Sequence, residues 1–214
     1  MKYLLFDLDG TLTDPYEGIT KSILYALSAV GVYDDDPQKL RNCIGPPLNY
    51  SFSEIYRLPP DRVPFAIRKY RERYGEVGLF ENEPLPGALE ALKAFKEAGM
   101  KMAVASSKPK PFVDRIVDKF GFAPYFDAVV GSGLDGKLNT KTLVMREAMR
   151  LLDAKAGETV MIGDRKHDVL GAKECGVKCV GIETGYAEEG ELAAAGADRI
   201  VKNFPELTKL LLSV

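Results

Sequence analysis

A chain of 214 residues with 46% hydrophobic residues suits one α/β domain with an insertion, or two small domains, and can bury a core. Its 29 basic and 31 acidic residues give a net charge of -2, which lacks the basic footprint of a nucleic-acid binder. No apolar run reaches the length of a membrane span, and Asp7 cuts the opening "MKYLLFDLDG" too short for a signal peptide, so a soluble cytoplasmic protein is expected.

Short apolar runs alternate with amphipathic stretches, the pattern of a parallel sheet covered by helices. The first strand is expected at Tyr3–Leu8. The alternation then stops until about residue 83, where "YEGITKSILYALSAVGV", "DDPQKLRNCIG", "LNYSFSEIY" and "PDRVPFAIRKYRERYGEVGLF" read as four helices. Asp14 is a good N-cap for the first, Pro15 fits its opening position, and Glu17 stands where a capping-box acid would. The α/β pattern resumes after "ENEPLPGALEAL". Helices are expected at Gly87–Ala98, Pro111–Phe120, Thr140–Leu152, Asp168–Cys175 and Ala187–Ala195. Strands are expected at Lys101–Ala105, Ala128–Val130, Thr159–Ile162, Lys178–Ile182 and Arg199–Val201. The expected architecture is α/β: a Rossmann-like, doubly wound parallel sheet of residues 1–14 and 84–214, with a helical subdomain of residues 15–83 too long for an ordinary connection.

Three cysteines, Cys43, Cys175 and Cys179, are too few and odd in number for a disulfide framework. "KECGVKCVGI" reads as a helix end, a turn and a strand, which makes Cys175 and Cys179 small core residues. His167 is the one histidine, so a Ser-His-Asp triad or a multi-histidine zinc site is not expected.

The chemistry concentrates in aspartates. Asp7, Asp9 and Asp14 fall within the nine residues "FDLDGTLTD". In open α/β sheets, ligands bind beyond the carboxyl ends of the strands, where strand order reverses. Asp7 and Asp9 lie at the end of the first strand, Ser106 follows the second, and Asp164 follows "VMIG" of the fourth. Clustered carboxylates repel, and a hard divalent cation compensates them. Mg²⁺ takes carboxylates together with phosphate oxygens and water. Asp7 and Asp164 are candidate ligands, and Asp168, about one helical turn beyond Asp164, is placed to orient a metal-bound water. A carboxylate can also attack phosphorus, while a second carboxyl protonates the leaving oxygen and then activates water. That division gives attack to Asp7 and proton transfer to Asp9. Ser106 is a candidate donor to one phosphate oxygen, and Lys141 a candidate to neutralise another.

"DLDGTLTD" resembles motif I of the haloacid-dehalogenase superfamily of phosphohydrolases, "VASSKP" resembles motif II, and "IGDRKHD" resembles the GDxxxD form of motif IV. The resemblance implies Asp7 as nucleophile, Asp9 as acid and base, and the Asp9 backbone carbonyl beside Asp7, Asp164 and Asp168 around Mg²⁺. The inserted helices resemble the C1 cap of the phosphoglycolate-phosphatase-like branch. That branch often carries Lys-Pro at motif III, whereas this chain reads "GSGLDGKLNTKTLV". Lys137 and Lys141 compete for the role, and Lys141 is preferred because it opens a helix. "GSGLDGK", "NTK" and "IGPPLNYSF" look more like the 5'-nucleotidase-like subgroup. Gly10, Thr11, Ser107, Lys108 and Gly45 complete the expected substrate-binding set.

Each of these has an ordinary reading beside it. Thr11 can serve only the Gly10 turn, Ser106 can cap a helix, and Lys108 can be a solvated or phosphate-steering charge. Asp135 and Lys137 read as loop residues, His167 as an exposed helix start, and "KYRERY" as a solvated face with packed tyrosines. The glycine of "CIGPPL" stands equally as a reading edge for substrate and as a tight turn. The function expected is Mg²⁺-dependent hydrolysis of a small phosphorylated metabolite (phosphoglycolate-like, nucleoside monophosphate or sugar phosphate) by a monomer or homodimer, with no nucleic-acid or membrane partner. A phosphomutase of the same superfamily and a non-enzymatic phospho-acceptor module are the alternatives.

Overall fold

The computed structural model describes residues 2–134 and 137–213. It divides into two compact units, one of Met1–Thr13 with Pro84–Val214 and one of Asp14–Glu83. Strand β1 (Tyr3–Phe6) opens the chain, and the two-residue strand β2 (Thr13–Asp14) leads into the second unit. Helices α1 (Tyr16–Ala29), α2 (Pro37–Asn42), α3 (Leu48–Tyr50) and α4 (Val63–Arg73) follow, and β3 (Glu83–Pro84) leads back. The chain then runs through α5 (Ala88–Glu97), β4 (Lys101–Pro109), α6 (Lys110–Lys119), β5 (Ala128–Ser132), α7 (Lys141–Leu152) and β6 (Thr159–Gly163). It ends with α8 (Lys166–Cys175), β7 (Lys178–Ile182), α9 (Glu191–Ala195), β8 (Arg199–Val201) and α10 (Phe204–Leu212). Among the described residues, no helix is long and apolar enough to cross a membrane.

The six longer strands form one parallel sheet in the order β5-β4-β1-β6-β7-β8. The chain winds outward from β1 to one edge, returns to the centre at β6, and winds to the other edge. This is the doubly wound arrangement, and its order reverses between β1 and β6. Leu4, Leu5 and Phe6 are fully buried, as strands covered on both faces require. Leu5 joins Ala103, Met161, Val144, Met145 and Val169 in one core cluster. Phe6 points to the opposite face, where its ring lies 6.2 Å from that of Phe95 and 6.1 Å from that of Phe126.

Several ends differ from expectation for local reasons. β1 stops at Phe6 because the N–H groups of Thr11, Leu12 and Thr13 all converge on the Leu8 carbonyl and turn the chain. β4 runs on to Pro109, with a register shift against β5 between Ala105 and Pro109 that carries "SSKP" in extended form. α9 starts at Glu191 rather than Ala187, since Gly190 precedes it at φ 77°. Helix α10 was not expected at all; Asn203 caps it by accepting from the Glu206 N–H at 3.0 Å.

In the helical unit, α3 runs on into a π-helical turn at Ser51–Ile55, and α4 into another at Tyr74–Gly78. Pro15, not Asp14, is the N-cap of α1, which starts at Tyr16; Asp14, one residue earlier, still accepts from the Tyr16 N–H at 2.9 Å, and Glu17 pairs with Lys21 instead of closing a capping box. Tyr70 and Tyr74 stack with ring centroids 5.3 Å apart, so the tyrosines of "KYRERY" pack while its lysine pairs outward with Glu72. Arg73 grips Glu81 with two bonds of 2.8 and 3.0 Å. Behind this grip α1 meets the second π turn almost backbone to backbone: a Cβ on Gly18 would lie 2.0 Å from the Gly78 carbonyl oxygen. Gly18→Ala is therefore expected to destabilise the helical unit by about 1–3 kcal/mol through overpacking. Urea unfolding followed by circular dichroism checks this, and an unchanged midpoint would contradict it.

Candidate active site

The register of the sheet delivers two aspartates side by side. Phe6 on β1 is paired with Ile162 on β6, and the Asp7 N–H still donates to the Ile162 carbonyl at 3.0 Å. Asp7 and Asp164 thus leave the sheet from neighbouring strands at the point of reversed order. Asp168, in the first turn of α8, completes a buried trio with one carboxylate oxygen of each within 4.8 Å of the others.

Lys141, the first residue of α7, supplies the counter-charge. Its Nζ lies 2.9 Å from Asp7 Oδ1 and 2.8 Å from Asp168 Oδ1, and it donates to the Ala105 carbonyl of β4 at 3.1 Å. An ammonium has three donors, and here three protein acceptors surround it. Burial alone would lower the pKa of Lys141, but the Asp168 and Asp7 carboxylates reverse that and hold it above its ordinary value. Burial pushes Asp164 well above the usual carboxylate range, with repulsion from Asp168 and Asp7 adding to it. Burial likewise raises Asp168, against Lys141, to about 6. Thr11 donates to Asp164 Oδ1 at 3.1 Å, whereas Asp164 Oδ2 is buried without a hydrogen-bond partner among the described residues. Hard oxygen donors, one of them unsatisfied, around a surplus of negative charge fit a divalent metal ion.

Asp9 has separate company. Its Oδ2 pairs with the Lys108 ammonium, and both side chains are largely buried. Lys108 is therefore not a solvated surface charge; the extended "SSKP" segment turns it inward. Burial raises the Asp9 carboxyl and Lys108 opposes the rise. Ser106 is buried, and its Oγ accepts from the Lys108 N–H at 3.3 Å. The Ser107 carbonyl accepts from the Ser132 hydroxyl at 2.8 Å.

Three glycines make room for these groups. Gly10 sits at φ +82°, and a Cβ there would come 2.3 Å from Asp164 Oδ2. A Cβ on Gly163 would meet Asp168 Cγ at 2.2 Å, and one on Gly171 would meet Lys141 Cγ at 2.8 Å. Of the two competing lysines, Lys141 is the one among the carboxylates; Lys137 is exposed, its carbonyl accepting from the Gly133 N–H at 2.7 Å. Asp135 lies outside the described residues. His167 is exposed in the first turn of α8. Gly45 belongs to the helical unit, where at φ 100° it bends the chain between α2 and α3.

The sequence reading missed the segment after β7. The Thr184 hydroxyl donates to the Gly10 carbonyl, and the Tyr186 ring borders the space beside Gly10. Glu191 pairs with Arg165, the residue between Asp164 and α8. The rule that strand ends build the site applies to β7 as much as to β1, β4 and β6, and would have singled out this segment.

Residues 4–182 match the family model described as haloacid dehalogenase-like hydrolase. A 5'-nucleotidase of Pseudomonas aeruginosa is 42% identical over 191 residues, covering 89% of this chain and 86% of the relative. Pyrophosphatase PpaX of Halalkalibacterium halodurans is 34% identical over 212 residues, covering 97% of this chain and 95% of the relative. The crystal structure of a predicted phosphatase from Clostridium acetobutylicum matches with a TM-score of 0.94 at 43% identity, covering 100% of this chain and 99% of that one. With the aspartate trio at the switch point of its sheet, this chain belongs to the haloacid dehalogenase-like hydrolases and is a phosphatase of that family.

Proposed function

We propose that this phosphatase depends on Mg²⁺ and hydrolyses a small phosphomonoester through an aspartyl-phosphate formed on Asp7. The reading rests on the trio Asp7, Asp164 and Asp168, with ligand oxygens within 4.8 Å of one another, and on a separately paired carboxylate, Asp9, two residues beyond the first. The trio and the Asp9 backbone carbonyl would hold Mg²⁺, which when bound would neutralise charge on the phosphoryl oxygens.

In the first step a carboxylate oxygen of Asp7 attacks phosphorus and the bond from phosphorus to the ester oxygen breaks. Lys141, 2.9 Å from Asp7 Oδ1, orients the nucleophile. Asp9 gives its proton to the departing alkoxide. Burial favours the protonated form of Asp9, and Lys108 opposes it. Drawing Lys108 from Asp9 to an incoming phosphate would leave that proton in place. In the second step Asp9 takes a proton from water, the water oxygen attacks phosphorus, and the bond to Asp7 breaks to release inorganic phosphate. Ser106 would donate to a phosphoryl oxygen, with Gly10, Thr11 and Ser107 shaping its seat.

The core residues engage the phosphoryl group, so the helical unit would act as a cap that reads the remainder. The Gly45 loop is its candidate reading edge. Nucleoside monophosphates are the first substrates to test, because the Pseudomonas aeruginosa relative is named a 5'-nucleotidase. A panel of nucleoside monophosphates, phosphoglycolate, sugar phosphates and phosphotyrosine, assayed with Mg²⁺, tests the reading. A requirement for a sugar bisphosphate activator would point to a phosphomutase instead.

Asp7→Asn should abolish turnover while keeping the fold; normal phosphate release by the purified variant would refute the nucleophile. Asp164→Ala should weaken Mg²⁺ binding in a calorimetric titration by much more than it shifts thermal unfolding, and unchanged affinity would remove Asp164 from the ligand set. Lys141→Met should stop turnover and also cost about 3–5 kcal/mol of metal-free stability, since buried carboxylates lose their partner. Lys137→Ala should leave both nearly intact, and the reverse ranking in paired kinetic and unfolding measurements would assign the motif III role to Lys137.

A further inference from the structure

The residue that opens α8 lacks what its position requires. A helix N-cap is ordinarily Ser, Thr, Asp or Asn, whose oxygen accepts from the free N–H groups of the first turn. The N-cap here is Arg165, whose side chain has donors only. The acceptor comes from Glu191 at the start of α9. Its Oε1 accepts from the Lys166 N–H at 2.8 Å and from Arg165 Nε at 2.9 Å, while Oε2 accepts from Arg165 Nη2 at 3.4 Å and from the Glu188 N–H at 3.3 Å. Both side chains are nearly closed to solvent, Arg165 at 9% and Glu191 at 7% exposure. The backbone of Arg165 is tied to Asp168 on both sides: its N–H donates to Asp168 Oδ2 at 3.1 Å, and its carbonyl accepts from the Asp168 N–H at 3.0 Å. Helix α9 is itself seated on β7, where the absence of a side chain at Gly181 clears Leu192; a Cβ there would come 2.9 Å from Leu192 Cδ1.

We infer that Glu191 is a positioning residue for the divalent-metal site: by capping α8 and clamping Arg165 from a distant helix, it fixes the turn that presents Asp164 and Asp168. A negative charge at the start of α8 is also favoured by the helix dipole. The inference rests on the metal-binding reading proposed above. Outer contacts of this kind commonly change metal affinity by about 10- to 100-fold.

The test is direct Mn²⁺ binding to the metal-free protein, followed by the electron paramagnetic resonance signal of free Mn²⁺, beside a thermal unfolding scan. Glu191→Ala should weaken Mn²⁺ affinity by about 10-fold or more. Adding Arg165→Thr, which supplies its own capping oxygen, should recover most of that loss. Should Glu191→Ala fail to fold, Glu191→Gln keeps the Lys166 acceptor without the charge, and an intermediate affinity is expected. Wild-type affinity in a folded Glu191 variant, with only the melting temperature lowered, would overturn the inference. A loss that Arg165→Thr leaves unrecovered would overturn the capping route. If the wild-type protein binds no Mn²⁺, the metal reading itself fails and the inference falls with it.

Discussion

The arrangement of the core depends on an imbalance of buried charge. Asp7, Asp164 and Asp168 bring three negative charges into the interior, and Lys141 brings one positive charge. Unpaired carboxylates are not tolerated in such a place. Burial and mutual repulsion therefore push the Asp164 and Asp168 carboxyls up. Three minus one leaves two, the charge of the ion that the oxygen donors suit. The trio thus suits a divalent cation, and Lys141 sets the charge left for it to balance.

Holding like charges together demands a rigid frame. Parallel strands buried on both faces supply it, because their register is locked by apolar residues such as Leu5 and Phe6. The glycines then decide how closely the loops can approach. Gly163 admits Asp168, Gly10 admits Asp164, and Gly171 admits the stem of Lys141. None of these three touches a substrate by way of a side chain, yet each determines where a charged atom stands.

Much of this was legible in the sequence, for physical reasons. Strands covered on both faces are short apolar runs, and polar residues directly after them mark the ligand-binding edge, which exposes Asp7, Asp9, Ser106 and Asp164 together. The partnerships were not legible. Lys137 and Lys141 are four positions apart, yet Lys137 lies exposed in the loop before α7, whereas Lys141 opens α7 and is buried, its stem passing Gly171. Lys108 read as a solvated or phosphate-steering charge, with no carboxylate partner in view; its pairing with Asp9 spans 99 positions of chain. Glu191 lies in a run of acidic and small residues with no local signature, and its importance comes from a position 26 residues earlier that lacks an acceptor. Helix α10 did carry a signal, in Asn203, Pro205 and Glu206, of the kind that marks other helix starts.

The Leu85 N–H donates to the Leu12 carbonyl at 2.9 Å, so the core's own chain already meets itself where the helical unit departs. A long insertion between two such points adds little to the entropic cost of closing the loop, which grows only with the logarithm of its length. The sheet keeps its register whatever lies between Leu12 and Leu85, provided the two ends stay paired. The helical unit is in that sense a cassette: its sequence can diverge, lengthen or be exchanged while the buried aspartates stay where the strands put them.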